Sequence, residues 1–99
     1  MPSLTQFLMP VSKDPRLHPS HICLYISMFS LWERNRFSTP FRISRRQLMK
    51  LSKIKSTATY HKCIRELVSY DYIDYQPSYD HFKGSSIQLF SIQKDQPKP

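Results

Sequence analysis

Glycine is almost absent from this chain of 99 residues: Gly84 is the only one. A glycine-rich phosphate loop is therefore excluded, and the single glycine is expected at a turn that needs a positive backbone dihedral. Cysteine is nearly as scarce. Cys23 and Cys63 form no C-x-x-C pair and sit on candidate helices among apolar neighbours, so they read as free, reduced core thiols, with a disulfide the lesser alternative. Acidic residues number seven and lie singly, and no carboxylate pair or nucleophile–base set occurs; no enzyme and no cofactor are expected. Long apolar runs are missing too, since residues 22–32 are too short to span a bilayer and are interrupted by Ser27 and Ser30. The opening MPSLTQFLMPVSKDP lacks the basic start and apolar stretch of an export signal, which points to a cytoplasmic protein with no membrane partner.

Positive charge is what the chain has in abundance. Fifteen Lys and Arg residues give a formal charge of +8, and residues 34–65 hold ten of them with no Asp or Glu. A solvated surface would mix the signs, so a one-signed stretch is the footprint of a polyanion partner. The length allows one domain with one modest core.

Residues 1–17 contain Pro2, Pro10 and Pro15 around the apolar patch Phe7, Leu8, Met9 and Val11. Proline at this density predicts an extended arm rather than a helix. The domain proper is expected over 18–92, followed by a polar, disordered tail over 93–99. Its first helix should begin at His18-Pro19-Ser20, where proline suits the first turn, and run to about residue 34. Its apolar positions go nearly all the way round, so it must be covered on two sides. Either the arm or a partner subunit can supply the second cover, and a homodimer through this helix and the arm is the expectation carried forward.

Phe41 and Ile43 alternate with Arg42 as a short strand. Ser44 then caps a second helix, with Gln47 completing a capping-box pattern and Leu48, Met49, Leu51 and Ile54 supplying a buried side. After a turn over 52–55, Ser56 caps a third helix whose core positions are Tyr60, Cys63, Ile64, Leu67 and Val68. Its other face carries Thr57, Ala58, His61, Lys62 and Arg65: small residues first, basic ones after. Ile73, Tyr75 and Pro77, then Ile87, Leu89 and Ser91, alternate as a hairpin whose tip covers 80–84.

Strand, short helix, turn, longer helix and hairpin is the order of a winged helix-turn-helix. Ser56, Thr59-Tyr60, Ile64, Glu66-Leu67 and Tyr72-Ile73 resemble the cap, core and closing positions of that family. SKIKSTATYHKCIRELVSYDYI, followed by Y-x-P-S, is similar to small winged-helix proteins of bacterial mobile elements. The resemblance implies a mainly α fold with a small β-hairpin (α+β), having three helices and a two- or three-stranded antiparallel sheet. It also implies a double-stranded DNA partner. Two departures stand out: Asp71 occupies the place of a usual glycine after the third helix, and the turn between the second and third helices is one residue longer than the commonest form.

The DNA contacts follow from this placement. Arg42, Arg45, Arg46, Lys50, Lys53, Lys55 and Lys62 are expected at phosphates. Ser56 opens the reading helix, and Thr57, Ala58, His61 and Arg65 lie nearer base edges. His81, Lys83 and Ser85 are the wing contacts. The plainer alternatives are a solvated charged face and an inert surface hairpin. His21 and Cys23, like His61 and Cys63, are two apart on a helix and point away from each other, so metal binding is not expected. Tyr70, Tyr72, Tyr75 and Tyr79 read as sheet core and rim rather than as a stacking platform for single strands. A transcriptional regulator is the functional expectation. A protein-interaction module built on the arm and first helix, or a replication or recombination accessory protein, is the alternative.

Overall fold

Serine and proline punctuate the chain into short, well-capped elements. The structure is a computed structural model that describes residues 2–77 and 84–90. Four helices are found there: α1 (Leu4–Lys13), α2 (Pro19–Arg34), α3 (Arg45–Ser52) and α4 (Thr57–Ser69). Three strands complete the domain: β1 (Phe41–Ile43), β2 (Ile73–Gln76) and β3 (Ser85–Leu89). The class is α+β. The expected tail over 93–99, together with Ser91, Tyr79, His81 and Lys83, lies outside the described residues.

The strands form one antiparallel sheet in the order β1-β3-β2. Phe41 faces Ile87 across the β1–β3 pair, and Ile73 faces Leu89 across β2–β3. Strand alternation then turns Phe41, Ile43, Ile73, Ile87 and Leu89 to one buried side. Gly84 enters β3 with φ +69, and a Cβ there would stand 2.5 Å from the Ile43 carbonyl oxygen. Both the dihedral and the close approach to β1 require glycine.

The central helix α2 packs its buried residues Leu24, Tyr25, Met28, Leu31 and Trp32 against the rest of the domain. Much of its remaining apolar face is covered from within the chain, by α1, and here the extended arm is corrected. Ser3 caps α1 by accepting the Gln6 amide, Pro2 precedes it and Pro15 follows the C-cap Asp14, so only Pro10 stands inside the helix. An interior proline costs about 3 kcal/mol. Burying Phe7 and Val11 returns about 1.5–3 kcal/mol each, which is enough to carry the helix over that break. Phe7 meets Phe29 and Trp32 at ring separations of 5.6 and 5.2 Å.

Both α2 and α4 close with a left-handed residue and the paired bonds of a Schellman motif. At the end of α4 the Tyr72 amide donates to Leu67 and the Asp71 amide to Val68, with Asp71 at φ 68. Asp71 thus performs the turn expected of glycine. At the end of α2 the Phe37 amide donates to Trp32 and the Arg36 amide to Glu33. Phe37 then folds back onto Trp32, 5.0 Å between ring centres.

Three side chains expected inside are outside. Leu51 and Val68 are exposed because α3 buries only Leu48 and Ser52 while α4 buries Tyr60, Cys63, Ile64 and Leu67. α3 packs on α2, and α4 on α2 and β2, and in each helix the apolar stripe is wider than the contact it makes. Cys23 is exposed while Cys63 is buried, since position 23 falls between the faces of α2 that meet α1 and the core.

Candidate functional site

Ser44 and Ser56 set where α3 and α4 begin, accepting the amides of Gln47 and Thr59 at 3.1 and 3.2 Å. Such caps contribute about 1 kcal/mol each and fix the first turn of each helix. Between the helices Lys53 is left-handed, at φ 65, and Ile54 is buried. The Ile54 side chain anchors the turn, so that Lys53 and Lys55 on either side of it are exposed.

The result is an exposed set of side chains along both helices and the turn. Arg45, Arg46 and Lys50 stand on α3, Lys53 and Lys55 on the turn, and Ser56, Thr57, Ala58, His61, Lys62 and Arg65 on α4 and its cap, all of them exposed. Arg42 is exposed on β1. Among the described residues no ion pair holds Arg45, Arg46, Lys50, Lys53, Lys55, Lys62 or Arg65. Ser85 is half-buried, and its hydroxyl lies 3.0 Å from that of Tyr75. His81 and Lys83 lie outside the described residues.

Behind this surface sits Tyr60, whose hydroxyl is buried without a hydrogen-bond partner among the described residues. Burial pushes that hydroxyl well above the usual tyrosine range; Tyr75 adds to the shift and the Arg45 guanidinium opposes it. The Tyr60 and His61 rings pack edge to face at 5.2 Å. Beside α4, between its exposed flank and β2, runs an open groove of about 490 Å³ lined by His61, Ile64, Arg65, Val68, Ser69 and Tyr75.

Two carboxylates are engaged by hydrogen bonds between elements of the fold. The Arg16 guanidinium donates to Asp14 through Nη2 at 2.6 Å and Nε at 2.9 Å, and the Tyr72 hydroxyl donates to the same carboxylate at 2.7 Å. Arg16 also lies over the Tyr70 ring, 3.9 Å from its centre. The Arg16 hydrogen bond holds the Asp14 carboxyl far below the usual range, with burial opposing it and Tyr72 assisting. This clasp ties the α1–α2 connection to the end of α4. The second engaged carboxylate is Glu66. His21 is buried, its Nδ1 accepts the His18 amide at 2.9 Å, and its Nε2 lies 2.7 Å from Glu66 Oε1. Because a backbone amide can only donate, Nδ1 carries the lone pair and Nε2–H donates to Glu66.

Neither arrangement is visible in the sequence pattern, because residues 14 and 72, or 21 and 66, are related by no spacing. Only the His18–His21 interval, three residues at a helix start, signals the local half of the second one. The tyrosines divide among roles: Tyr72 is core, Tyr70 supports Arg16, and Tyr75 is half-buried at the rim of the groove.

What fold and surface define together is an α+β domain presenting a predominantly basic helix pair, with Glu66 of α4 held by His21. No protein-family model matches the chain, no curated protein matches it, and no solved structure matches it. Among the described residues no helix is long and apolar enough to cross a membrane.

Proposed function

We propose that the chain is a winged helix-turn-helix protein that binds double-stranded DNA and acts as a transcriptional regulator of a bacterial mobile element. The observation that carries the DNA reading is the exposed set on α3, the turn and α4, whose Arg and Lys side chains are held by no ion pair among the described residues. In this reading α4 is the reading helix. Thr57 and Ala58 let its first turn approach the base edges, while His61 and Arg65 reach them from the next turns. Arg42, Arg45, Arg46, Lys50, Lys53, Lys55 and Lys62 neutralise flanking phosphates, and the β2–β3 pair is the wing. A replication or recombination accessory role shares this chemistry and differs in its site and partners.

The case for a protein-interaction module drew on the apolar girth of α2, and α1 now covers much of it. A homodimer through α2 and α1 would use what remains exposed there, Leu4 and Ile26 above all.

The test is charge reversal at residues that carry no core. Arg45→Glu, Arg46→Glu and Lys62→Glu together are expected to abolish duplex binding in a mobility-shift or anisotropy assay, with the thermal midpoint nearly unchanged because all three are exposed. Undiminished binding by the triple variant would sink the DNA reading.

A further inference from the structure

The groove between α4 and β2 is not explained by duplex binding. Its residues His61, Ile64, Arg65, Val68 and Ser69 follow each other at helical spacing along one flank of α4, and Tyr75 of β2 forms the opposite wall. This flank is apolar beyond what packing needs: Val68 is 37% exposed, a β-branched side chain left in water beside a half-buried tyrosine ring. The volume of about 490 Å³ is within the range of small-molecule sites, and the lining combines apolar walls with few polar groups, as such sites do.

The polar groups define what fits. Among the described residues no carboxylate lines the groove, and the Arg65 guanidinium, exposed and in no ion pair there, offers a fork of donors that matches a carboxylate. The His61 imidazole is oriented by its edge-to-face contact with Tyr60, and the Tyr75 ring by the bond between its hydroxyl and Ser85. A slot with Ile64 and Val68 on one wall and an aromatic face on the other suits a flat apolar body. We propose that this groove binds a small aromatic carboxylate, its ring between Val68 and Tyr75 and its carboxylate on Arg65 and His61. Resting on the DNA reading, a second consequence follows: His61 and Arg65 are also the proposed base-edge contacts, so the bound acid and the duplex compete.

The probe is 2-naphthoate, with neutral 2-naphthamide as its isostere, measured by equilibrium dialysis against the full chain without DNA. A ligand of this size on an open site is expected to bind with a dissociation constant on the order of 1 mM. The amide should bind roughly tenfold more weakly, and Arg65→Met should cause a similar loss for the acid but little for the amide. Val68→Glu, which sets a carboxylate in the groove, should remove acid binding while the unfolding midpoint stays in place, both positions being exposed. Absence of naphthoate binding, equal binding of acid and amide, or indifference to both substitutions would overturn the proposal. Naphthoate should also displace a labelled duplex from the wild-type chain, and binding of both at once would overturn the competition. If no duplex binds at low salt the DNA reading fails and the competition with it, while the dialysis still decides the groove.

Discussion

Asp14 shows how much one side chain can decide. It accepts from the Arg16 guanidinium, the Arg16 amide and the Tyr72 hydroxyl, and only 7% of its side chain is exposed. A carboxyl held far below its ordinary value of about 3.9 stabilises the fold fully above that value and loses its contribution as pH falls beneath it. Asp14→Asn is therefore expected to lower the denaturant midpoint at neutral pH, and the gap from wild type should narrow progressively as pH falls below about 3.9. A gap of constant size across that range would contradict the assignment. Asp71 and Lys53 carry the other residue-level lesson. Asp71 stands where the winged-helix resemblance puts a glycine, and it takes the left-handed turn that a glycine would; nothing marks Lys53, whose left-handed turn is imposed by burying Ile54 next to it.

At the level of elements, what could be read from the chain was whatever is controlled locally. Ser44 and Ser56 cap α3 and α4 as their positions imply, and Phe41, Ile43, Ile73, Ile87 and Leu89 alternate as strands do. α1 could not be read this way because its stability is tertiary: Phe7 and Val11 outweigh Pro10 only once α2 is there to receive them. That balance makes a prediction of definite sign. Pro10→Ala restores a backbone donor toward Gln6 and should stabilise the protein by about 1–2 kcal/mol, the helix gain being reduced by the freer unfolded chain. An unchanged or lowered denaturant midpoint would mean that α1 does not form. The candidate site divides the same way: the exposed basic and small residues of α3 and α4 were identifiable from helical spacing, whereas the groove beside α4 depends on where β2 lies and was not.

For the whole molecule the governing quantity is charge distribution. The formal charge of +8 is unevenly placed, ten of the fifteen Lys and Arg residues lying in 34–65 with no Asp or Glu among them. If seven basic side chains each neutralise one phosphate, the logarithm of duplex affinity should fall against the logarithm of salt with a slope of about −6. A titration from low to physiological salt measures it. A slope near zero would mean that the surface meets no polyanion, whatever the fold.

The single tryptophan sits inside the contact that holds α1 in place. Trp32 is 5% exposed, enclosed by Phe7, Phe29 and Phe37 and stacked at 6.3 Å on Phe41. Intrinsic fluorescence is therefore a label already installed at the seam between the first helix and the sheet. Detachment of that helix wets the indole and moves its emission to the red before the remainder of the domain melts, so one native chromophore separates local opening from global unfolding.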